Sequence, residues 1–455
     1  MIKIFSTTIL LLIVNFSFSS ETIIQGNAKG FEGKTIRLTA IQDYITNTTE
    51  KLGTATIKDN QFKFKLETEE VIQITLTIED KSTSFYISAG KVYNISLSFD
   101  EEWNRGKIYD KELSLSFSFP QPDDINQLIK KFNNDYAAFF EKNAVLMANR
   151  QAQKQIDEFV DQVNSDQRYS RDKFMLAYVK YACASLQDAS FYNKQKLTAN
   201  YLSDSPILYN HKEYMLFYTQ FYDNHFKKLI LGSKGAELLK YLTLENDLIS
   251  ANKYIQEQIK VKNASFAELY LLYGIFDVYF DKVFNQKSAQ DILRQISKNG
   301  ATKENKIIAG NILKKIQFYG NDNVAPSFSL YDVNKELHQL KEFKGKYIYL
   351  NFWASWSLIS VKEMQIIKSL HKTFGDKIAF ISINLDDNFE DFKAANKRYN
   401  YTWTSLHYGN QFEVKEDYQV FTIPTYIIIN PKGKIESSQA PNPETIGDYF
   451  YKVTK

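Results

Sequence analysis

A single cysteine, Cys183, stands in a chain of 455 residues. That excludes an intramolecular disulfide and any internal dithiol exchange. Its setting, FMLAYVKYACASL, is an apolar helical pattern in which a thiol is buried and inert. Histidine is almost as scarce. The five residues His211, His225, His338, His371 and His407 are scattered. They form neither a His-x-x-x-His pair nor a cluster with cysteine and carboxylates, so no metal site and no cofactor is expected. Arginine supplies only seven of the 56 basic residues, and the formal net charge is +3. A phosphate-reading surface relies on arginine's planar fork, and a charge balance this even creates no strong field for nucleic acid or acidic lipid. Nucleic acid is therefore not expected as a partner. Beyond the N-terminus there is no long apolar run, and hence no expected transmembrane segment, since about 20 apolar residues are needed to span a bilayer.

The N-terminus has Lys3, an apolar run over 4–14 interrupted by Ser6, Thr7 and Thr8, and then the small residues Ser17, Ser19 and Ser20. Charge, apolar run and small residues, in that order, describe a secretory signal peptide. Residues 1–20 are assigned to it, with cleavage near Ser19 or Ser20. The protein is expected to be exported to the periplasm or to associate with the envelope. No cysteine lies near that point, so a lipoprotein anchor is excluded.

Hydrophobic residues make up 44% of the chain and aromatics 15%, ample for packed cores, and the length argues for two or three domains. The expected fold class is multidomain α+β. Residues 21–118 read as strands: TIRLTA, QFKFKLE, IQITLTIE and YNISLSF alternate or are rich in β-branched residues. Turns fall at Lys58-Asp59-Asn60 and Ala89-Gly90-Lys91. This pattern predicts a small antiparallel β-sandwich. FPQPDD (119–124) breaks it. Residues 119–319 read as an all-α domain, with Leu128, Phe132, Tyr136 and Phe140 recurring every fourth residue on one helical stripe. The dense aromatics of this region serve core packing between helices; the alternative is an aromatic groove for a peptide or glycan. GNDNVAPSFSL (320–330) is a polar linker, after which strand and helix patterns alternate through 320–455. Strands are expected at 327–330, 346–353, 378–384, 425–429 and 434–438. A tight turn is expected at Asn430-Pro431-Lys432-Gly433, and a closing helix over about 443–453.

One segment of this α/β region is distinctive. A buried-strand pattern over Tyr347–Trp353 is followed by Trp356-Ser357-Leu358-Ile359-Ser360, and a helical pattern begins near Val361. FKGKYIYLNFWASW with VKEM resembles the active-site segment of TlpA/ResA-like thioredoxin-fold proteins, and DYQVFTIPTYIIINPKGKI resembles that family's cis-proline strand and following hairpin. The resemblance covers roughly 324–455. More weakly, GNAKGFEGKTIRL and FYISAGKVYNISLSF resemble the small β-domain that precedes such modules in Bacteroidota. The resemblance implies a thioredoxin fold and a thiol–disulfide oxidoreductase or antioxidant activity, with Trp-Cys-x-x-Cys at the turn. At both cysteine positions this sequence reads serine, Ser357 and Ser360. Asn351 stands at the position of a buried acid in other thioredoxins. Lys362 and Glu363 match the family, and Gln365 replaces the usual proline.

A helix N-terminus lowers a thiol's pKa through its dipole and free N–H groups. The thiolate then attacks a disulfide, and a second thiol resolves the mixed disulfide. Serine can do neither, and no histidine lies close enough in sequence to make Ser357 a hydrolytic nucleophile. No catalytic residue is therefore expected. The resemblance implies a surface formed by Trp353, Trp356, Leu358, Ile359, Thr422, Ile423 and Pro424, retained either as a groove for a protein or peptide partner in the envelope or only because the fold needs it. Three functions compete: a redox-inactive binding or assembly role, the oxidoreductase activity of the family, and ligand binding by the helical domain. Fold alone does not choose among them.

Overall fold

The computed structural model describes residues 20–79, 81–104, 111–118, 123–281, 283–319, 323–409 and 411–455. The expected signal peptide lies outside these residues except for Ser20, as do most of the 119–124 break and the start of the 320–330 linker.

The N-terminal region is β-rich. Its strands are β1 (Ser20–Ala28), β2 (Thr35–Asp43), β3 (Thr48–Thr56), β4 (Gln61–Thr68), β5 (Ile72–Ile78), β6 (Lys81–Ile87), β7 (Val92–Phe99) and β8 (Lys111–Phe117). They form one eight-stranded sheet in the order β3-β2-β5-β6-β8-β7-β1-β4. Consecutive strands β3 and β4 sit at opposite ends of that order, joined by the turn at Lys58–Gln61, so the sheet rolls nearly closed like a barrel. The expected antiparallel sandwich is corrected in two respects. The strands belong to a single rolled sheet, and the β1·β7 and β6·β8 pairings are parallel. Alternation in sequence assigns a strand's two faces but not its neighbour or its direction. The inward positions, among them Ile36, Leu38, Ile74, Leu76, Ile78, Ile95 and Leu97, fill the interior. β1 lies so close to β7 that a Cβ at Gly26 would meet Ile95 O at 1.8 Å, which only glycine avoids.

The middle region is helical, from Ile125–Ala148 to Lys303–Tyr319. The helix Gln286–Asn299 shows why: Asn285 accepts the Ser288 N–H at 2.9 Å as N-cap, and Ala289, Ile292, Leu293 and Ile296 bury one stripe. The helix Ala264–Val278 is apolar on nearly all sides and runs through the centre of this core. On the first helix Leu128 and Phe132 are buried, whereas Phe140 is 38% exposed, where the stripe runs out to solvent. Cys183 is buried within the helix Lys173–Ala189. No helix of the described residues is long and apolar enough to cross a membrane.

The C-terminal region adopts the thioredoxin fold. Its strands are β9 (Ser329–Asp332), β10 (Leu337–Gln339), β11 (Tyr347–Trp353), β12 (Ile378–Asn384), β13 (Thr404–His407), β14 (Thr425–Ile429) and β15 (Ile435–Ser437), in the order β10-β9-β13-β12-β11-β14-β15. β11 is central, parallel to β12 and antiparallel to β14. Six of its seven residues are buried, as a strand covered on both faces requires. The short strands β10 and β13 were not expected from the sequence, and the last helix is shorter than expected, Gly447–Val453. At the β14–β15 turn Gly433 donates to Asn430 O at 2.8 Å with φ +78°, a conformation suited to glycine.

The three regions interlock. Asn311 of the last middle helix donates to Asp43 at 2.7 Å and to Gln42 at 2.9 Å, and Thr49 donates to Glu416 at 3.0 Å. Phe318, from the end of that helix, is buried in the thioredoxin-fold core, edge-on to Tyr418.

Candidate functional site

β11 delivers the chain to a turn at the carboxyl end of the sheet. Leu385 N–H donates to Trp353 O at 2.8 Å, and Ser357 N–H donates to Ala354 O at 3.2 Å. Ser357 then caps the helix Leu358–Phe374, its hydroxyl accepting the Ser360 N–H at 3.3 Å. A serine at this position satisfies one of the helix's orphan donors. The Ser360 hydroxyl is buried and has no partner. Among the described residues no side-chain base hydrogen-bonds the Ser357 hydroxyl. His407 is held by Asp386 O at 2.7 Å on Nε2 and by the Gly409 N–H at 3.1 Å on Nδ1, while His371 packs against Phe380 and Trp403. Burial is the chief cause lowering the pKa of both rings.

Of the residues expected on one surface, Trp356, Leu358, Ile359, Thr422 and Ile423 line a single cavity together with Ser357. Pro424 follows Ile423 through a cis peptide bond and is half-buried. Trp353 is a correction: it is fully buried, packed edge-on against Tyr401 beneath the turn. As the last residue of a doubly covered strand, it points into the core rather than toward a partner. Leu358 is 86% exposed and Ile359 37%, and the neighbouring Phe421 is 62% exposed.

The cavity has a volume of about 480 Å³ and lies between the thioredoxin fold and the β-rich region, which contributes Arg37, Thr75, Thr77, Glu79, Ser82 and Lys111. Arg37 projects from the outer face of β2 and ion-pairs with Asp387, and it also donates to the Tyr408 hydroxyl at 3.2 Å and to Glu79 O at 3.3 Å. Tyr408 donates to Asp387 Oδ1 at 2.8 Å. Burial raises the Asp387 pKa, an effect the Arg37 charge partly offsets. Next to it, Asp386 accepts the Ser355 N–H and the Asn384 side chain, each at 2.9 Å. Burial outweighs these bonds and pushes the Asp386 carboxyl up to about 6.

Beneath the turn, Asn351 accepts the Ser382 hydroxyl at 2.5 Å, and Trp403 Nε1 donates to Ser382 at 2.7 Å, a neutral network. Glu363 accepts the Tyr426 hydroxyl at 2.5 Å. Sequence reading missed Arg37, Asp386, Asp387, Lys415 and Phe421. The Asp pair directly follows a buried strand, where α/β sheets place ligands, and that was a usable signal. Arg37 had none, because its partner is 350 residues away. Elsewhere, Asp332, Glu336 and His338 bring ligand atoms within 4.8 Å of one another. Asp332 there accepts the N–H groups of Asn334 and Glu336 in a turn, and His338 pairs with Glu342.

A strand-turn-helix crevice opposite a β14 loop with a cis X-Pro bond defines a thioredoxin-fold protein. Residues 322–438 match the model of the AhpC/TSA family. The thiol-disulfide oxidoreductase ResA of Oceanobacillus iheyensis is 30% identical over 140 residues, 28% of this chain and 69% of that protein. The thioredoxin-like protein YneN of Bacillus subtilis is 32% identical over 115 residues, 25% of this chain and 66% of YneN. A solved thiol-disulfide oxidoreductase from Bacteroides fragilis is 28% identical and covers 29% of this chain and 99% of its own, with a TM-score of 0.27. Through its C-terminal region, the chain belongs to the AhpC/TSA thioredoxin-like, ResA-like thiol–disulfide oxidoreductase family.

Proposed function

We propose that this chain is an exported binding protein of the cell envelope, from a member of the Bacteroidota, in which Ser357 and Ser360 take the places of the family's two cysteines and the turn holds a partner without exchanging disulfides. One observation carries this reading: the Ser357 oxygen at the helix start is engaged as an N-cap, and neither it nor Ser360 can form a sulfur–sulfur bond. The sole thiol, Cys183, lies in the helical region, and burial pushes it up to about 12, so at neutral pH it is not a thiolate. The exposed Leu358, Ile359 and Phe421 around the turn support a contact surface.

The competing reading, dithiol oxidoreductase activity, is favoured by the named relatives. Insulin-disulfide reduction separates the two. The purified chain should match the uncatalysed background, and Ser357→Cys combined with Ser360→Cys should create activity on the same scaffold. Turnover by the unaltered chain that disappears with Cys183→Ser would overturn the non-redox reading. Export is tested by N-terminal sequencing of protein from the native cell, which should begin near Ser20 or Glu21; an intact Met1 would refute it.

A further inference from the structure

Lys415, on the short helix Phe412–Asp417, opens on the interdomain cavity. Its ammonium makes no ion pair or hydrogen bond with any described residue. Burial, reinforced by the Arg37 charge, holds its pKa below the usual lysine value, an effect that the charges of Glu416 and Asp387 offset only in part. A half-buried cation facing away from solvent is ordinarily paired. Here the open side of Lys415 is the cavity itself.

Two further donors belong to the same wall. The indole N–H of Trp356 is buried with no acceptor. The helix Leu358–Phe374 begins there, and with the Ser357 oxygen occupied by the Ser360 N–H, the N–H groups of Leu358 and Ile359 have no intrahelical acceptor. The positive end of that helix adds to the preference for negative charge. The acidic group lining the cavity, Glu79, does not serve as the missing acceptor, because it is bridged by Lys34 at 2.8 Å and Lys81 at 3.4 Å. Beside Tyr408 and Thr422, Leu385, Val420 and Ile423 give the thioredoxin-fold wall an apolar stretch. A volume of about 480 Å³ suits a small molecule. An inorganic anion would leave the apolar wall wet, and a neutral apolar ligand would leave the Lys415 ammonium and the Trp356 N–H without a direct acceptor.

We infer that the cavity between the β-rich region and the thioredoxin fold binds an amphipathic organic acid, its single carboxylate on Lys415 and its apolar body against Leu385, Val420 and Ile423. This deepens the binding reading above, and it rests on that reading in placing the ligand at the serine-bearing turn.

Isothermal titration of the full chain with dodecanoate tests it, with dodecan-1-ol as the uncharged analogue and a blocked apolar hexapeptide amide as a third probe. One saturable dodecanoate site is expected, weakened about tenfold or more in Lys415→Met and by less than about threefold in Lys415→Arg, as a charge-assisted contact implies. Dodecan-1-ol should bind more weakly and equally to all three proteins. Should Lys415→Met fail to fold, Thr75→Trp fills the cavity from the opposite wall and should abolish dodecanoate binding. Absence of saturable binding, or binding unchanged by Lys415→Met or by Thr75→Trp, would overturn the inference. Tighter binding of the blocked peptide than of dodecanoate would also overturn it, while leaving a non-redox peptide groove in place. Insulin reduction reports on the redox question independently of all these outcomes.

Discussion

The guanidinium of Arg37 and the carboxylate of Asp387 form an ion pair across the boundary between the rolled sheet and the thioredoxin fold. Their side chains are only 14% and 5% exposed, so the pair is shielded from solvent. Breaking such a pair from one side leaves a buried charge uncompensated. Arg37→Met should therefore destabilise the protein by about 3–5 kcal/mol in urea unfolding. Adding Asp387→Asn should recover most of that loss. A single variant as stable as the unaltered chain would show that the pair does not hold the two regions together.

Asp386 should make stability depend on pH in a definite direction. Its carboxyl ionises near 3.8 in an ordinary setting and at about 6 in the folded protein. The folded state therefore holds this proton more tightly. Its contribution is fully present below pH 3.8 and is lost as pH rises through 6. Asp386→Asn should remove this component, up to about 3 kcal/mol, from the difference in stability between pH 4 and pH 7. Parallel pH profiles of the two proteins would refute the assignment.

The aliphatic residues at the turn differ from those about two helical turns further along. Leu358→Ala and Ile359→Ala should change unfolding free energy by no more than about 0.5 kcal/mol, because the helix presents them to solvent. Ile367→Ala, at a fully buried position of the same helix, should cost about 2–5 kcal/mol. A large drop in Tm for both turn variants would mean that they serve packing rather than contact.

The two serines should respond in opposite ways. Ser357→Ala removes an N-cap and should cost about 1 kcal/mol. Ser360→Ala removes a buried hydroxyl without a partner and should be neutral or stabilising by about 1 kcal/mol. Denaturant midpoints measured side by side decide this, and a costly Ser360→Ala would reveal a bond that the structure does not show.

Much of the C-terminal fold was legible in the sequence, because its signals are local. A run such as Tyr347–Trp353 is apolar on both faces, and Asn430–Gly433 carries its own turn chemistry. The start of the helix was legible from Ser357 onward. What escaped depends on contacts distant in sequence. β3, TTEKLGTAT, has no apolar face to betray it, because its side chains are half-exposed or exposed. The nearly closed sheet follows from which strands meet, and alternation is silent on that. Trp353 and Trp356 look alike in sequence, yet one ends a buried strand and the other begins the exposed turn. The cavity escaped for the same reason: about a third of its lining residues, among them Arg37, Thr75 and Lys111, lie more than two hundred residues upstream.

Phe318 bears on where the chain can be cut. Its ring, on the last turn of the helical region, fills space among the core side chains of the thioredoxin fold. A fragment starting at residue 320 would keep every strand and helix of that fold and lose this ring. The vacancy left behind corresponds to a large-to-small change at a core aromatic, about 3–5 kcal/mol. A recombinant thioredoxin-fold fragment of this protein should therefore begin ahead of Phe318, and a shorter one would owe its poor behaviour to the missing plug rather than to its own sequence.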